Sequence, residues 1–194
     1  YTCENLSNNL LDEIISIINQ ANEYLYLSTY SIVGLNSIEE LFQSIKRAIE
    51  KGVSVSIFCR GMNYRNDHLE GVSKLSEIGC KVYADVFNHS KGVINEKTGM
   101  IFTANIDGNH GLNNGFEVGS VLNETQRKEF LDFHKKLIET SFYEFKNNVE
   151  WNIYQEQVRV IADLLESYKN RWNWNKPKIE DYQKWYDKAE ECKE

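Results

Sequence analysis

The chain has 194 residues, enough for one sizeable core with an appendage but short for two full domains. Its formal net charge of −7 excludes a strongly basic footprint for nucleic acid, so a polyanionic substrate would have to meet a local patch. No apolar stretch is long enough to span a bilayer. The first residue is Tyr1 rather than Met, so we expect a processed or excised piece of a longer protein.

The four cysteines form no CxxC pair and lack the density of a disulfide scaffold. Cys59 ends a predicted strand and Cys80 follows a predicted helix, so both are expected to be core thiols. This usage favours a reducing compartment, and we predict a cytoplasmic location. Metal-ligand spacing is missing as well, and we expect neither a metal nor a cofactor.

Helical and strand patterns alternate in the first half of the chain. The predicted elements are a helix over 7–21, a strand over 23–30, a helix over 37–51 opened by the capping box Ser37-Ile-Glu-Glu40 and ended by Gly52, a strand over 53–59, a helix containing Leu69 to Ile78 and stopped by Gly79, and a strand over 81–86. This order predicts an α/β fold with a mixed, largely parallel sheet flanked by helices.

After residue 86 the pattern changes. Two short apolar runs, over 90–95 and 100–104, are joined by Glu96-Lys-Thr-Gly99, which predicts a hairpin. A further strand is predicted over 117–122. Asn123, with Gln126 three residues later, predicts the start of a helix that reaches about Tyr143.

The last part of the chain differs in composition. Residues 144–194 contain all four tryptophans and the only proline, Pro177. We therefore predict a main domain over 1–143 and a Trp-rich helical extension over 144–194. The aromatic side chains of this extension either dock on the main domain or form a platform for bases or a partner protein, and the sequence leaves both interpretations open.

Side chains suited to phosphodiester chemistry stand at the ends of the later strands. His89 and Lys91 follow one predicted strand, Thr103 and Asn105 end the next, and Glu117 opens another. Sheets of α/β proteins usually place ligands at such strand ends. An imidazole can attack phosphorus, an ammonium and a carboxamide can hold its oxygens, and a carboxylate can fix the imidazole tautomer. The set suits cleavage of a phosphodiester without a metal.

At these residues the sequence resembles the phospholipase D superfamily, whose signature is HxKxxxxD followed by GSxN. Here the signature reads His89-x-Lys91, with Glu96 at the acidic position and Phe102-Thr-Ala-Asn105 in place of Gly-Ser-x-Asn. The segment Gly115-Phe-Glu-Val-Gly119 is also similar to the stretch that follows the motif in these proteins. The resemblance covers 7–143 and implies the half-unit fold of that family.

Two departures from the signature limit what the resemblance implies. Glu96 is longer than the family's Asp, and Phe102 replaces the Gly. The distance from His89 to Asn105 is one residue shorter than the common pattern, which a trimmed hairpin turn can absorb. In the family the acid is usually a structural partner rather than the attacking group, so the resemblance implies a supporting role for Glu96.

The resemblance implies a mechanism with two motifs. One histidine attacks phosphorus and forms a phosphohistidine, while the histidine of the second motif protonates the leaving oxygen and then activates water. Two lysines and two asparagines neutralise the phosphoryl oxygens. Because this chain shows one HxK, a second must come from a homodimer or from a missing segment of a longer chain.

Other polar side chains are candidates of lower rank. His110 lies in a Gly/Asn loop near the motif, and Arg60 or Arg65 follows a strand end, so these side chains are predicted to contact substrate. His68 is expected to be solvated at the start of a helix, and His134 to be a surface residue.

The leading hypothesis is a metal-independent phosphodiesterase that cleaves nucleic acid. This preference rests on family analogy and on the lack of an apolar membrane-binding helix, while the net charge opposes it. One alternative is a phospholipase or phosphatidyltransferase that acts on phospholipid. The other is a catalytically degraded module for dimerisation or partner docking.

Overall fold

The computed structural model describes residues 2–3, 9–60, 65–85, 88–139, 143–145, 183 and 187. The helices are α1 (Asn9–Asn19), α2 (Glu39–Glu50), α3 (Asn66–Glu77), α4 (Gly111–Asn114) and α5 (Glu124–Glu139), and a 3-10 turn (Leu35–Ile38) precedes α2. The strands are β1 (Thr2–Cys3), β2 (Tyr24–Ser28), β3 (Ile32–Val33), β4 (Ser54–Arg60), β5 (Lys81–Asp85), β6 (Gly92–Asn95), β7 (Gly99–Phe102), β8 (Ile106–Asp107), β9 (Glu117–Val121) and β10 (Tyr143–Phe145).

Eight of these strands form one mixed sheet, in the order β1-β9-β7-β6-β2-β4-β5-β10. Parallel pairing in this sheet is confined to β2, β4 and β5, and the other neighbours are antiparallel. The predicted mixed α/β fold is confirmed. The expectation of a largely parallel sheet overstates the parallel part. Strand β6 pairs antiparallel with β2 and forms a hairpin with β7, so no crossover helix makes it parallel. Strands β3 and β8 form a separate parallel pair.

Six strand ends meet at one end of the sheet. The carboxyl ends of the parallel strands β2, β4 and β5 lie there. Ser28 at the end of β2 is opposite Gly92 at the start of β6, and Phe102 at the end of β7 is opposite Gly119 near the start of β9. We call this the site end of the sheet. The segments that contain the predicted catalytic residues all begin or end here.

Helices cover both faces of the central strands. Leu25 and Leu27 of β2 belong to the apolar core that α1 and α2 complete. Because successive side chains of a strand alternate between faces, Tyr26 points the other way, and its ring stacks on His134 of α5. Each fully buried Leu or Ile stabilises the fold by roughly 1.5–3 kcal/mol, so this two-sided burial fixes the strands that carry the site.

The ends of α2 show one wrong prediction and one confirmed one. A 3-10 turn precedes the helix, and the N-cap residue Ile38 makes no side-chain hydrogen bond, so the predicted capping box does not form. At the other end, Gly52 adopts a φ of 88° and its N–H donates to the Ile49 carbonyl at 2.8 Å. This conformation favours glycine, so the predicted helix end is confirmed.

Helix α5 begins as predicted but ends earlier. The Asn123 N–H donates to Gln126 Oε1 at 3.1 Å, and the Gln126 N–H donates to Asn123 Oδ1 at 3.0 Å. This reciprocal pair satisfies two backbone donors at the start of the helix. The helix stops at Glu139, short of the predicted Tyr143.

Tyr143 begins β10 instead, which pairs antiparallel with β5. Phe145 in this strand is buried, so the chain still contributes to the main core just past the predicted domain boundary at residue 143. Apart from 183 and 187, the predicted Trp-rich extension lies outside the described residues from 146 onward. The division into two domains therefore stays a prediction. Within the described part of the chain, no helix has the length and apolarity needed to cross a membrane.

Two histidines that we expected at the surface are buried. His68 is 0% exposed and its Nδ1 accepts the Ile32 N–H at 3.0 Å, which ties the first turn of α3 to β3. His134 is 1% exposed and its Nδ1 is 2.8 Å from the Phe130 carbonyl, which can only accept. Burial lowers the pKa of each imidazole to about 4.

These buried histidines make stability depend on pH. The unfolded chain binds protons at both positions near pH 6.5, whereas the folded chain keeps both rings neutral down to about 4. The free energy of unfolding is therefore expected to fall as the pH decreases from 6.5 to 5, by up to about 1.4 kcal/mol per pH unit for each histidine. Urea unfolding across this range measures the slope before most carboxylates titrate.

Replacing His134→Phe is expected to remove about half of this histidine contribution, because it deletes one of two similar titrating groups. His110→Gln is the matched control, since His110 is exposed and its replacement leaves both buried imidazoles in place. A wild-type stability that is flat between pH 6.5 and 5 would contradict the assignment, as would an unchanged slope in His134→Phe.

Candidate active site

His89 and Lys91 lie between β5 and β6, at the site end of the sheet. The His89 side chain is exposed, and Lys91 is half-buried. Lys91 Nζ lies 3.0 Å from His89 Nδ1 and 3.1 Å from the His89 carbonyl oxygen. An ammonium can only donate, so Nδ1 accepts, and a neutral His89 ring then carries its proton on Nε2. Burial lowers the pKa of Lys91, and the negative charge of Glu117 opposes that change.

Asn88, which the sequence analysis did not single out, fixes the loop that carries His89. This buried side chain donates from Nδ2 to the Thr29 carbonyl at 2.8 Å and to the Phe58 carbonyl at 3.3 Å. Its Oδ1 accepts the Ser90 N–H at 3.2 Å and the Ser90 hydroxyl at 2.6 Å. The loop is thereby joined to the ends of β2 and β4. In the sequence, the only signal for this role is that Asn88 directly precedes His89, and a sequence does not show that a side chain is buried.

Thr103 and Glu117 lie together across β7 and β9. The Thr103 hydroxyl donates to the Glu117 carboxylate, and the Val118 N–H donates to Thr103 Oγ1 at 3.1 Å. Among the described residues, the carboxylate makes no hydrogen bond to His89, which differs from the tautomer-fixing contact we expected. Its effect on Lys91 is electrostatic. Any influence of Glu117 on His89 therefore passes through Lys91, which contacts His89 Nδ1.

Asn105 follows Thr103 at the same end of the sheet and is half-buried. Its Oδ1 is buried without a hydrogen-bond partner in the described part of the chain. Leaving such an oxygen unpaired costs roughly 1–3 kcal/mol, so it is available to accept a hydrogen bond from a further donor. A Cβ on Gly111 would lie 2.8 Å from the Asn105 carbonyl, so only glycine lets α4 approach this closely.

Tyr30, a second residue that the sequence analysis did not single out, lies beside the histidine. Its ring centroid is 5.1 Å from that of His89, with an interplanar angle of 70°. The Arg60 guanidinium carbon lies 5.0 Å from the Tyr30 centroid, and Lys91 Nζ lies 5.9 Å from it. The structure thus places Arg60, a predicted substrate contact, in the same cluster as His89 and Lys91.

Glu96 lies at the opposite end of the sheet, in the turn between β6 and β7. Its carboxylate accepts the Asn22 N–H at 3.0 Å and the Glu23 N–H at 3.3 Å. Burial acts to raise the pKa of Glu96, but hydrogen bonds from backbone N–H groups and the charge of Lys97 outweigh it, so the pKa is lowered. Glu96 fastens the chain that enters β2 and lies apart from the other predicted site residues.

The remaining candidates take separate positions. His110 is exposed in the loop between β8 and α4, where its N–H donates to Asp107 Oδ1 at 3.0 Å. Arg65 forms an ion pair with Asp67, with 2.6 Å between Nη2 and Oδ2. Phe102 is buried in the core, so the residue that replaces the signature glycine serves packing.

The site end therefore gathers an imidazole, two cations, an amide and a hydrogen-bonded carboxylate. Such a set can bind an anionic phosphoryl group and offer it a nucleophile. Among the described residues, no three His, Cys, Asp or Glu side chains cluster so that they could hold a metal ion.

A protein-family model matches this sequence, and several solved structures share its fold. Residues 14–140 match the family described as cardiolipin synthase, PLD-like domain. The structure is similar to that of Nuc from Salmonella typhimurium, a phospholipase D family member, with a TM-score of 0.59 and 15% identity over 70% of this chain and 90% of that one. NucT from Helicobacter pylori gives a TM-score of 0.58 and 19% identity over 73% and 94%.

Phosphatidylserine synthase from Haemophilus influenzae Rd KW20 gives a TM-score of 0.56 and 10% identity over 84% of this chain and 42% of that one. Comparison with curated proteins finds no match. The family match extends over more than half of the chain and contains the segments that carry His89, Lys91, Asn105 and Glu117. The chain therefore belongs to the phospholipase D superfamily, through its PLD-like domain.

Proposed function

We propose that this protein is a phosphodiesterase that cleaves its substrate through a covalent phosphohistidine on His89. The observation that carries the proposal is the exposed His89 imidazole with Lys91 Nζ 3.0 Å from its Nδ1. A nucleophile and a cation that binds phosphate are thus adjacent on a loop that Asn88 anchors. Family membership supports the same reaction type.

Attack requires a lone pair on the attacking nitrogen. Lys91 donates to His89 Nδ1, which leaves the ring proton on the exposed Nε2. A bound phosphodiester offers Lys91 charged oxygens, which are stronger acceptors than a neutral imidazole nitrogen. Lys91 then turns to the phosphate, the ring exchanges its proton to Nδ1 through solvent, and Nε2 attacks. The N–P bond forms as the P–O bond to the leaving group breaks.

The other residues hold the charge that develops at phosphorus. Lys91 and Asn105 bind the non-bridging oxygens, and Arg60 binds a further anionic group of the substrate. The negative charge of Glu117 opposes the lowering of the Lys91 pKa by burial, and Glu117 is itself held by the Thr103 hydroxyl. These cations and donors supply the stabilisation that a metal supplies in other phosphodiesterases, so we propose a metal-independent reaction.

A second histidine is needed to protonate the leaving oxygen, and we propose that a second copy of the chain supplies it. The residues that flank Glu117 support this arrangement, because Phe116 is 88% exposed and Val118 is 55% exposed. Ile101 on the neighbouring strand is 45% exposed. An apolar surface of this kind beside the site favours burial against another protein surface. A second motif elsewhere in a longer chain is the alternative source.

Nucleic acid is the proposed substrate class. Arg60 and Lys91 both contact the Tyr30 ring, and two neighbouring cations suit a backbone of successive phosphates. The structural likeness to phosphatidylserine synthase favours phospholipid as the second candidate. A cytoplasmic location remains part of the proposal on the basis of cysteine content alone.

A catalytically degraded module has less support. The departures at Glu96 and Phe102 lie away from the proposed chemistry, because Phe102 packs in the core and Glu96 binds backbone N–H groups at the far end of the sheet. The presence of His89, Lys91, Asn105 and Glu117 at the site end supports an active enzyme over a degraded module.

Hydrolysis of bis(p-nitrophenyl) phosphate in EDTA tests the proposed reaction. His89→Ala is expected to abolish turnover, because it removes the nucleophile. Lys91→Ala is expected to lower kcat by about a hundredfold or more, because it removes a preorganised charge at the phosphoryl group. Lys97→Ala is the matched control, since Lys97 is exposed at the opposite end of the sheet, and it should stay within about twofold. Full activity in His89→Ala or Lys91→Ala would refute the assignment.

Mixing wild type with excess His89→Ala tests the shared site. If both histidines of a two-fold pair are required, a tenfold excess of the variant should reduce activity per wild-type chain to about one tenth after subunit exchange. The double variant Phe116→Asp/His89→Ala is the control, because a charge in the proposed interface should prevent pairing and suppression. Wild-type activity that stays unchanged by excess His89→Ala would contradict the homodimeric site.

A further inference from the structure

The ring of Tyr30 is the point at which three polar side chains of the site meet. His89 lies edge to face with it at 5.1 Å, Arg60 lies over it at 5.0 Å, and Lys91 Nζ lies 5.9 Å from its centroid. Lys91 and His89 also contact each other directly. Among the described residues, the Arg60 guanidinium contacts the Tyr30 ring. The tyrosine therefore links Arg60 to His89 and Lys91.

Elementary chemistry explains why an aromatic ring suits this position. The face of the ring carries partial negative charge and its edge carries partial positive charge. Guanidinium and ammonium groups are attracted to the face of the ring but keep their charge, whereas a carboxylate would neutralise it. Their full charge therefore stays available for a phosphate. A carboxylate here would also repel the anionic substrate.

The backbone around Tyr30 is fixed on both sides. The carbonyl of the preceding Thr29 accepts from Asn88 Nδ2 at 2.8 Å, and the Tyr30 carbonyl accepts the Arg60 N–H at 3.2 Å. The Thr29 hydroxyl donates to the Ser31 carbonyl at 2.8 Å. The same anchor, Asn88, thus positions both the tyrosine and the loop of His89.

We propose that Tyr30 is a positioning residue for this site. Its ring face orients the His89 imidazole for attack and holds the Arg60 guanidinium where it meets a second anionic group of the substrate. The ring acts through its face, since its hydroxyl makes no hydrogen bond within the described residues. The expected changes in kcat and KM rest on the proposed function. The expected contact between the Tyr30 ring and His89 rests on geometry alone.

Two substitutions separate the ring from the hydroxyl. Tyr30→Phe keeps the ring and is expected to retain kcat within about twofold. Tyr30→Leu removes it, and kcat for bis(p-nitrophenyl) phosphate should fall at least about tenfold because a misoriented nucleophile loses its near-attack geometry. KM for a dinucleotide with a terminal phosphate should rise several-fold in Tyr30→Leu, while KM for the small diester changes little. Adding Arg60→Ala to Tyr30→Leu should raise the dinucleotide KM no further.

An NMR measurement tests the geometry without any turnover. A tyrosine ring 5.1 Å away shifts the C–H resonances of His89 by its ring current. The chain has four histidines, so His89→Ala assigns the signal. In Tyr30→Leu the His89 resonances should move toward the values of a histidine that has no aromatic neighbour. In Tyr30→Phe they should stay in place. Should Tyr30→Leu fail to fold, as urea unfolding would show, Tyr30→Met carries the same test.

The outcomes distinguish the two proposals. Unchanged His89 resonances in a folded Tyr30→Leu overturn the positioning role, whether or not the protein hydrolyses any diester. Wild-type kcat in Tyr30→Leu, together with an inactive His89→Ala, overturns that role and leaves the proposed function standing. Shifted resonances with rescue by Tyr30→Phe support the positioning role even if bis(p-nitrophenyl) phosphate is not a substrate.

Discussion

The hydrogen bonds of one buried amide hold together the part of the molecule on which the site depends. Asn88 donates to the carbonyl of Thr29, which follows β2, and to that of Phe58 near the end of the parallel neighbour β4. Its oxygen accepts from both the N–H and the hydroxyl of Ser90. A buried amide that loses such partners costs roughly 1–3 kcal/mol for each unpaired group, so the loop between β5 and β6 has a strong preference for this conformation. The orientation of His89, its contact with Lys91 and its proximity to Tyr30 all follow from that loop.

The two ends of the sheet have separate tasks. At one end Glu96 accepts two backbone N–H groups and fastens the chain entering β2, and at the other end the cations and the imidazole converge. A longer acid at the signature position is tolerated because its contact is with backbone at the opposite end of the sheet from His89. A buried Phe102 is tolerated because its side chain enters the core. The departures at Glu96 and Phe102 therefore concern chain anchoring and packing.

Local patterns in the sequence predicted most elements and candidate residues that the fold brings to one end of the sheet, whereas long-range contacts were out of reach. Asn123 and Gln126 cap α5 as their spacing predicts, because that interaction is local. Ser37 fails as a cap because the chain first forms a 3-10 turn, whose packing the local pattern does not encode. His134 lies four residues after Phe130, so helical periodicity held a signal for its burial that its lysine neighbours obscured. Tyr30 and Asn88 act across 30 to 59 residues of sequence, and no spacing rule connects such partners.

Trapping the covalent intermediate tests the central claim most directly. A diester labelled with radioactive phosphorus is mixed with the protein in EDTA and quenched in alkali within milliseconds, because a phosphoramidate bond survives base better than acid. Peptide mapping should place the label on His89, and His89→Ala should carry none, while Lys97→Ala labels like the wild type. Label on a different residue, or turnover by wild type with label absent from His89 at every quench time, would contradict nucleophilic catalysis by this histidine.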